Sequence, residues 1–153
     1  MYHNRIIPCL LLSGQGLVKT IKFKNGRYLG DPINAVHIYN DSEVDELIFL
    51  DINATKEKRE PDYAYLSKIT QQCFMPLCYG GGVKNISEIK RLFEIGFEKI
   101  AINSELFYNP KILSEASEIF GSQSILGAID IKSDRNGHKS VYICNGKINT
   151  KTE

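Results

Sequence analysis

Polar residues and glycines follow the apolar runs of this chain at four points. Asp51 and Asp130 each end an apolar run, and a glycine triplet at 80–82 follows another. Asn103 and Ser104 come directly after a fourth run. Because the carboxyl ends of parallel strands meet at one edge of a sheet, we expect these residues to converge there. The two aspartates then act as general base and acid, or they cap loops and pair with lysines.

The glycine triplet lies between an apolar run and a helix start at Asn85. Residues without a Cβ atom let a phosphate approach backbone N–H groups near a helix N-terminus. A glycine turn that serves only tight geometry is the simpler alternative. The two polar residues of the neighbouring strand would supply further donors at the same edge. The sequence therefore predicts a phosphate site at Gly81, Gly82, Asn103 and Ser104.

Short apolar runs alternate with helical stretches along the whole chain. The predicted strands are residues 5–12, 47–52, 75–79, 99–103 and 124–131, with a further strand at 141–144. Four helices are expected to begin at Asp31-Pro32, after Pro61, at Asn85 and at Asn109-Pro110. Near-continuous apolar strands separated by helices are typical of a parallel sheet covered on both faces. The chain is therefore predicted to be one α/β domain over residues 1–153, built as an open sheet or a barrel.

One long insertion, residues 14–30, follows the first predicted strand. This segment is rich in Gly, Lys and Asn. We expect a mobile loop here, which is either a lid over the ligand or a tolerated surface loop.

The composition argues against several classes of partner. Nineteen Lys and Arg against eighteen Asp and Glu leave a net charge of +1, which offers no electrostatic surface for nucleic acid. No apolar run approaches the ~20 residues of a membrane span, and residues 1–5 lack the apolar part of a signal peptide. We therefore predict a soluble, cytoplasmic protein with no membrane partner. The four Cys and three His show no metal-ligand spacing, so we expect reduced thiols and no metal site.

Seven separated motifs occur in an order that is similar to a known family. They lie at residues 5–9, 30–32, 45–51, 76–82, 99–104, 120–123 and 128–130. Together they closely resemble the cyclase subunit of imidazole glycerol phosphate synthase, a (β/α)8 TIM barrel of histidine biosynthesis. The resemblance implies a lyase that takes ammonia from a glutaminase partner and uses it on a phosphorylated substrate at the carboxyl rim of the barrel. It also implies that no metal or organic cofactor is needed.

The resemblance implies roles for individual residues. The catalytic groups would be Asp130, Lys19 of the substrate loop and the active-site carboxylate Asp51. The phosphate site would include Gly82, Asn103 and Ser104. The ammonia entrance at the opposite end of the barrel would be ringed by Arg5, Glu46 and Lys99. A structural ion-pair cluster is the alternative for these three, because charges that converge there are costly to desolvate unless they are paired.

Two features depart from the family pattern. Leu11 stands at the position of the family's first catalytic aspartate, and leucine cannot transfer a proton. Residues 9–12 and 75–79 look more like a cyclase-like paralogue associated with surface-glycan biosynthesis, which implies amidation of a sugar precursor with glutaminase ammonia. The second departure is length, because a full barrel needs about 250 residues. We therefore expect the N-terminal half of a TIM barrel, with about five parallel strands and four helices.

Three hypotheses for the function remain open. The first is an ammonia-using synthase subunit of the glycan-amidation type, which acts with a glutaminase on a phosphorylated or sugar substrate. The second is the histidine-pathway cyclase itself, and the third is a non-catalytic half-barrel that binds a partner or phosphate. A half-barrel would expose the edges of its first strand, 5–12, and of its last parallel strand. We therefore expect a homodimer through these open edges, and no activity from this chain alone.

Overall fold

The computed structural model describes residues 4–21 and 24–152. In chain order the strands are β1 (Cys9–Ser13), β2 (Gly16–Ile21), β3 (Lys24–Gly30), β4 (Leu47–Asp51), β5 (Leu77–Gly80), β6 (Lys99–Ile102), β7 (Ile125–Gly127), β8 (Asp130–Ser133), β9 (Lys139–Ile143) and β10 (Ile148–Asn149). The helices are α1 (Pro32–Asp41), α2 (Ala54–Glu57), α3 (Tyr63–Thr70), α4 (Ile86–Glu94), α5 (Ser104–Tyr108) and α6 (Lys111–Phe120).

Seven of the strands form one sheet in the order β3-β2-β1-β4-β5-β6-β7. The strands β1, β4, β5, β6 and β7 run parallel, whereas β2 and β3 are antiparallel additions beside β1. The two outermost strands do not pair with each other within the described residues, so the sheet is a partial barrel that is not closed. The predicted α/β class and the five parallel strands are confirmed.

The hydrophobic core lies between this sheet and its helices. Phe49, Tyr79 and Ile100 stand in register on neighbouring strands, and all three are fully buried. The helices cover them with apolar side chains such as Val36 of α1 and Ile89 of α4. Burial of this surface is the main stabilising term of the fold, and it fixes the strand ends that carry the polar residues.

The four predicted helices are present and begin next to their predicted start signals. The Asp31 carboxylate accepts hydrogen bonds from two N–H groups in the first turn of α1. The Asn85 side chain accepts one from the Glu88 N–H at the start of α4. Such caps satisfy N–H groups that have no partner inside the helix. Two short helices, α2 and α5, were not predicted, and they directly follow β4 and β6.

The segment 14–30 is not an irregular loop in its described part. It forms β2 and β3, which pair with each other and extend the main sheet beside β1. Leu17 of β2 lies opposite Leu12 of β1, and both side chains are buried, which explains why the segment packs against the sheet. Because β2 covers the outer edge of β1, the open edges of the sheet belong to β3 and β7. The expected open edge at 5–12 is therefore wrong.

The predicted strand 124–131 is divided into two strands of different sheets. Its first part, β7, pairs with β6, whereas its last part begins β8 of a second, antiparallel sheet with the order β10-β9-β8. The predicted extra strand at 141–144 corresponds to β9, the central strand of this second sheet. The interruption at Ala128 turns the chain, and as a result Asp130 starts β8 instead of ending a strand of the main sheet.

Candidate functional site

A cavity of about 340 Å³ opens at the carboxyl ends of β5 and β6. The four residues predicted for a phosphate site, Gly81, Gly82, Asn103 and Ser104, all contribute to its wall. The remaining polar lining comes from Thr55, Lys58, Lys84, Glu105, Tyr108 and Cys144. The cavity therefore combines hydroxyls and two ammonium groups, which can donate hydrogen bonds to an anion, with the carboxyl group of Glu105.

The backbone of the glycine turn can be formed only by glycine. Gly81 and Gly82 have φ angles of 125° and 72°, in the region that side chains avoid. A Cβ atom on Gly81 would lie 2.4 Å from the Asp51 carbonyl oxygen, and one on Gly82 would lie 2.7 Å from the Ala54 Cβ. The Gly82 N–H donates to the Thr55 hydroxyl over 3.3 Å. The glycine turn is thus packed directly onto the segment after β4.

Asn103 and Ser104 link the main sheet to the second sheet. The Asn103 side-chain amide donates to the Ala128 carbonyl over 2.9 Å, and the Ser104 hydroxyl donates to the Asn103 side-chain oxygen over 3.2 Å. The same hydroxyl accepts a hydrogen bond of 3.0 Å from the Cys144 N–H. The Asn145 side chain donates to the Ile52 carbonyl over 2.5 Å, so the turn after β9 lies over the carboxyl edge of the sheet.

Asp130 lines a second cavity, of about 130 Å³, that shares a wall with the first. Burial raises the pKa of the Asp130 carboxyl, while a hydrogen bond from Asn103 and the charge of Lys132 lower it to a smaller extent. A half-buried carboxyl with a raised pKa, placed beside a pocket for an anion, is suited to proton transfer. The structure therefore places Asp130 next to the predicted phosphate site.

Asp51 lies in the same second cavity, but its oxygens are already occupied. One guanidinium nitrogen of Arg59 contacts both carboxylate oxygens, at 2.7 and 3.0 Å. The N–H groups of Asn53 and Ala54 donate to one of these oxygens over 3.0 and 3.1 Å. The Asp51 carboxylate thus caps the loop after β4 and pairs with Arg59, and its catalytic role stays a prediction. Its partner Arg59 lies in the charged run 56–60, where the sequence pattern does not distinguish it from its neighbours.

Lys19 and Leu11 do not join this group of residues. Lys19 is exposed on β2 and is paired in register with Arg27 of β3, and neither cavity includes it in its wall. Leu11 lies opposite Leu50 in the pairing of β1 with β4, so an apolar side chain stands where the resemblance places a catalytic carboxylate. Among the described residues, the carboxyl groups in the walls of the two cavities are those of Asp51, Glu105 and Asp130, and burial raises the pKa of Glu105 and of Asp130.

The predicted ammonia entrance is a compact ion-pair cluster at the amino ends of the strands. One carboxylate oxygen of Glu46 contacts Lys99 Nζ at 2.5 Å and Arg5 Nη2 at 3.0 Å. The Glu46 side chain is only 4% exposed, against 24% for Lys99 and 56% for Arg5. Cys78 lies beside Lys99 in the sheet register, and burial together with the Glu46 charge raises the pKa of its thiol to about 12.

No group of three or more His, Cys, Asp or Glu side chains in the ranges 4–21 and 24–152 has the arrangement of a metal site. Within the same ranges, no helix is long and apolar enough to cross a membrane.

Comparison with known proteins assigns the family. Residues 5–153 match the sequence profile of a family described as histidine biosynthesis protein. The chain belongs to this family. A Pseudomonas aeruginosa relative, provisionally named imidazole glycerol phosphate synthase subunit hisF2, is 46% identical over 146 residues, which cover 95% of this chain and 58% of the relative. A Vibrio vulnificus relative, provisionally named subunit hisF3 of the same synthase, is 48% identical over 139 residues, or 91% of this chain and 54% of the relative.

A third relative carries the synthase name without reservation. The Streptococcus sanguinis imidazole glycerol phosphate synthase subunit HisF is 38% identical over 147 residues, which cover 96% of this chain and 58% of that protein. These matches identify the chain as a member of the imidazole glycerol phosphate synthase cyclase-subunit family, as the seven motifs indicated. The chain spans less than three fifths of the length of these curated relatives.

Proposed function

We propose that this histidine biosynthesis family member belongs to an ammonia-using synthase that binds a phosphorylated substrate at the carboxyl edge of its sheet. The observation that carries the proposal is the 340 Å³ cavity, in which Gly82, Ser104 and two lysines surround a space next to Asp130. In this proposal the cavity holds the phosphate, and Asp130 moves a proton at the adjoining reacting group. Lys19, on the neighbouring hairpin, is proposed to approach the substrate after it binds.

The phosphate site is tested with inorganic phosphate and the 153-residue chain. We expect the amide signals of Gly82, Asn103 and Ser104 to shift in an NMR titration at tens of millimolar phosphate, while chloride at equal ionic strength leaves them unchanged. Amide signals that do not respond to phosphate would contradict the proposed site. The variant Gly82→Ala provides a negative control, because its Cβ atom would collide with the Ala54 Cβ and the Arg59 carbonyl oxygen.

The glycan-amidation type is our first choice of reaction for the whole synthase. Leu11 replaces one of two proton-transfer groups, and loss of one such group typically reduces the rate by ~10²–10⁴-fold. In addition, the provisionally named relatives are 46–48% identical to this chain, whereas the named Streptococcus and Clostridium botulinum HisF subunits are 38–41% identical. The histidine-pathway cyclase is the second choice. A non-catalytic half-barrel that binds a partner or phosphate is the third.

A turnover assay of the complete synthase with its glutaminase separates the first two choices. We expect ammonia to be consumed with a sugar substrate. Formation of imidazole glycerol phosphate at about 1 s⁻¹, a rate typical of enzymes, would instead establish the histidine-pathway reaction. The third choice predicts phosphate binding without ammonia consumption on either substrate. A biosynthetic synthase of this kind is proposed to work in the cytoplasm.

The amino ends of the strands are the proposed docking face for the glutaminase. Arg5 is half exposed in the cluster with Glu46 and Lys99, although the pairing itself agrees with a structural role. Phe74, at the same end, is 89% exposed, and its backbone N–H is fixed by the Asn40 side chain over 3.1 Å. An exposed aromatic side chain on a backbone that is held by a hydrogen bond is a candidate anchor for a partner protein.

A binding assay with the glutaminase and the complete synthase subunit tests this face. We expect Lys99→Glu to weaken binding, and Arg5→Glu to do the same with less damage to the fold, because Arg5 is the more exposed partner. Unchanged affinity in both variants would leave only the structural role of the cluster.

Self-association of this chain is a separate proposal. Leu126, Ile129 and Ile131 are exposed large apolar residues at the open β7 end of the main sheet and on the adjoining β8. We propose that two copies pair through this end, since an unpaired edge with exposed apolar residues recruits other strands. Sedimentation at micromolar concentration should show a dimer, and a compact monomer that unfolds cooperatively would refute the pairing.

A further inference from the structure

The segment between Asp51 and Arg59 forms a closed turn, which we call the 51–59 turn. At its start, Asp51 accepts hydrogen bonds from the Asn53 and Ala54 N–H groups. At its end, the Arg59 backbone N–H donates to the Ala54 carbonyl over 3.1 Å, and the Arg59 side chain returns to the Asp51 carboxylate. The ion pair therefore joins the two ends of the turn.

The 51–59 turn is also the surface on which the glycine turn rests. The ideal Cβ positions of Gly81 and Gly82 fall 2.4 Å from the Asp51 carbonyl oxygen and 2.9 Å from the Arg59 carbonyl oxygen. The Thr55 hydroxyl accepts the Gly82 N–H, which is one of the donors proposed for the phosphate. Any opening of the 51–59 turn would thus move the floor of the anion site.

We infer that Arg59, through its ion pair with Asp51, is a positioning residue that holds the glycine turn in its anion-binding geometry. The inference deepens the proposed phosphate site and rests on it. It assigns Asp51 to the support of the anion site, which agrees with the occupation of its carboxylate oxygens by Arg59 and two N–H groups. Arg59 itself is absent from the walls of both cavities, so its effect on a ligand is indirect.

Opposite charges on the two partners make the inference testable. If Arg59 and Asp51 acted on phosphate only through their charges, Arg59→Met would weaken binding and Asp51→Asn would strengthen it. If the ion pair positions the turn, both substitutions weaken phosphate binding, by about tenfold, as is typical when a group that orients a binding residue is removed. Arg59→Lys keeps the charge and should restore part of the affinity.

Glu57→Gln is the matched control. Glu57 is the other ion-pair partner of Arg59, at 2.8 Å from its Nε, and it is an exposed residue outside both cavities. Because exposed pairs contribute little, its removal should change the dissociation constant of phosphate by less than about twofold. Affinities are measured by NMR titration with inorganic phosphate, well below the unfolding midpoint of every variant, so that the folded protein is compared throughout.

The ligand-free spectra separate failure of this inference from failure of the phosphate site. If the native chain does not respond to phosphate, the proposed function is wrong, but the Gly82 amide still reports the geometry. Positioning predicts that Arg59→Met and Asp51→Asn shift this amide signal and speed its hydrogen exchange, whereas Glu57→Gln does not. Tighter phosphate binding by Asp51→Asn, or a Gly82 amide unchanged in both ion-pair variants, would overturn the inference.

Discussion

The ion-pair cluster at the amino ends of the strands allows a quantitative prediction about stability. In Lys99→Met, the Glu46 carboxylate keeps only Arg5 as a partner, and its own side chain is 4% exposed. Removal of one partner from a buried pair typically costs 3–5 kcal/mol, because it leaves a buried charge uncompensated. Lys99 is 24% exposed and Arg5 remains, so we expect the lower end, about 3 kcal/mol. In a chain of this size the unfolding midpoint would fall by about 6–12 °C.

Arg5→Gln is the comparison that separates the two cations of the cluster. Arg5 is 56% exposed and contacts the same Glu46 oxygen at 3.0 Å. A pair with one solvent-exposed member contributes about 0–1 kcal/mol, so Arg5→Gln should shift the midpoint by at most a few degrees. The double variant Glu46→Gln/Lys99→Met should be less destabilised than the sum of its single variants, because the second substitution removes the charge that the first one left unpaired.

Urea unfolding, followed by circular dichroism at low micromolar protein, measures these differences. The slope of the free energy of unfolding against urea concentration should be the same in all variants, which shows that the denatured states are comparable. The reasoning fails if Lys99→Met is no more destabilised than Arg5→Gln, or if the double variant shows simple additivity. Either result would mean that the charges of the cluster do not depend on each other, and a role in docking would then be their better explanation.

Three further predictions concern single side chains. Tyr79→Phe should leave the free energy of unfolding unchanged or raise it by about 1 kcal/mol, because the buried hydroxyl has no hydrogen-bond partner among the described residues. Tyr65→Phe should lower it by about 1 kcal/mol, because the 2.8 Å hydrogen bond to the Gln15 carbonyl is lost. Thermal unfolding compares the two variants. Burial raises the pKa of Asp130, so its contribution to stability is present below its ordinary pKa and lost as the pH rises through the raised value. The free energy of unfolding of Asp130→Asn, minus that of the native chain, should therefore be larger at pH 7 than at about pH 4. The same difference at both pH values would refute this. Phe74→Ala should weaken glutaminase binding by at least about tenfold with no change in phosphate affinity, and a normal affinity for the glutaminase would exclude this anchor.

The sequence was informative where local chemistry decides the structure. Asn85 at a cap position placed the start of a helix, and apolar runs such as 47–52 placed the parallel strands. The convergence of Gly82 and Asn103 on one cavity could be predicted because the carboxyl ends of parallel strands lie at one edge. Asp130 reaches the adjoining cavity from the start of β8, which this rule does not predict. Their roles in binding and catalysis stay predictions.

The sequence was less informative where a partner distant in the chain decides the structure. The Gly- and Lys-rich segment 14–30 resembles a loop by composition, yet it finds a strand partner in β1, with Leu17 buried opposite Leu12. Ala128 carries no turn signal, and its carbonyl accepts a hydrogen bond from Asn103, a partner 25 residues away in the chain. Arg59 was indistinguishable from its charged neighbours, although a search for the cation that a buried Asp51 requires would have found it.

The two ends of the parallel sheet together bear on the choice between the proposed reactions. The sheet face that carries Lys99 at its amino end continues toward the cavities through the small residues Gly80 and Ala101, which stand in register. The space beside Gly80 is filled, because a Cβ atom there would lie 2.8 Å from the Leu50 Cδ2 and 3.1 Å from the Ala101 Cβ. Delivery of ammonia from the Glu46 cluster along this face therefore stays a proposal. At the carboxyl end, Leu11 stands where the resemblance places the first of two catalytic aspartates. In the proposed reaction, one carboxyl group accepts a proton from attacking ammonia, whereas a ring closure that relies on two proton-transfer groups would be slowed by the loss of one. We therefore expect Leu11→Asp to leave ammonia consumption on a sugar substrate no faster. A rise of more than about tenfold in imidazole glycerol phosphate formation by the same variant would instead favour the histidine-pathway reaction.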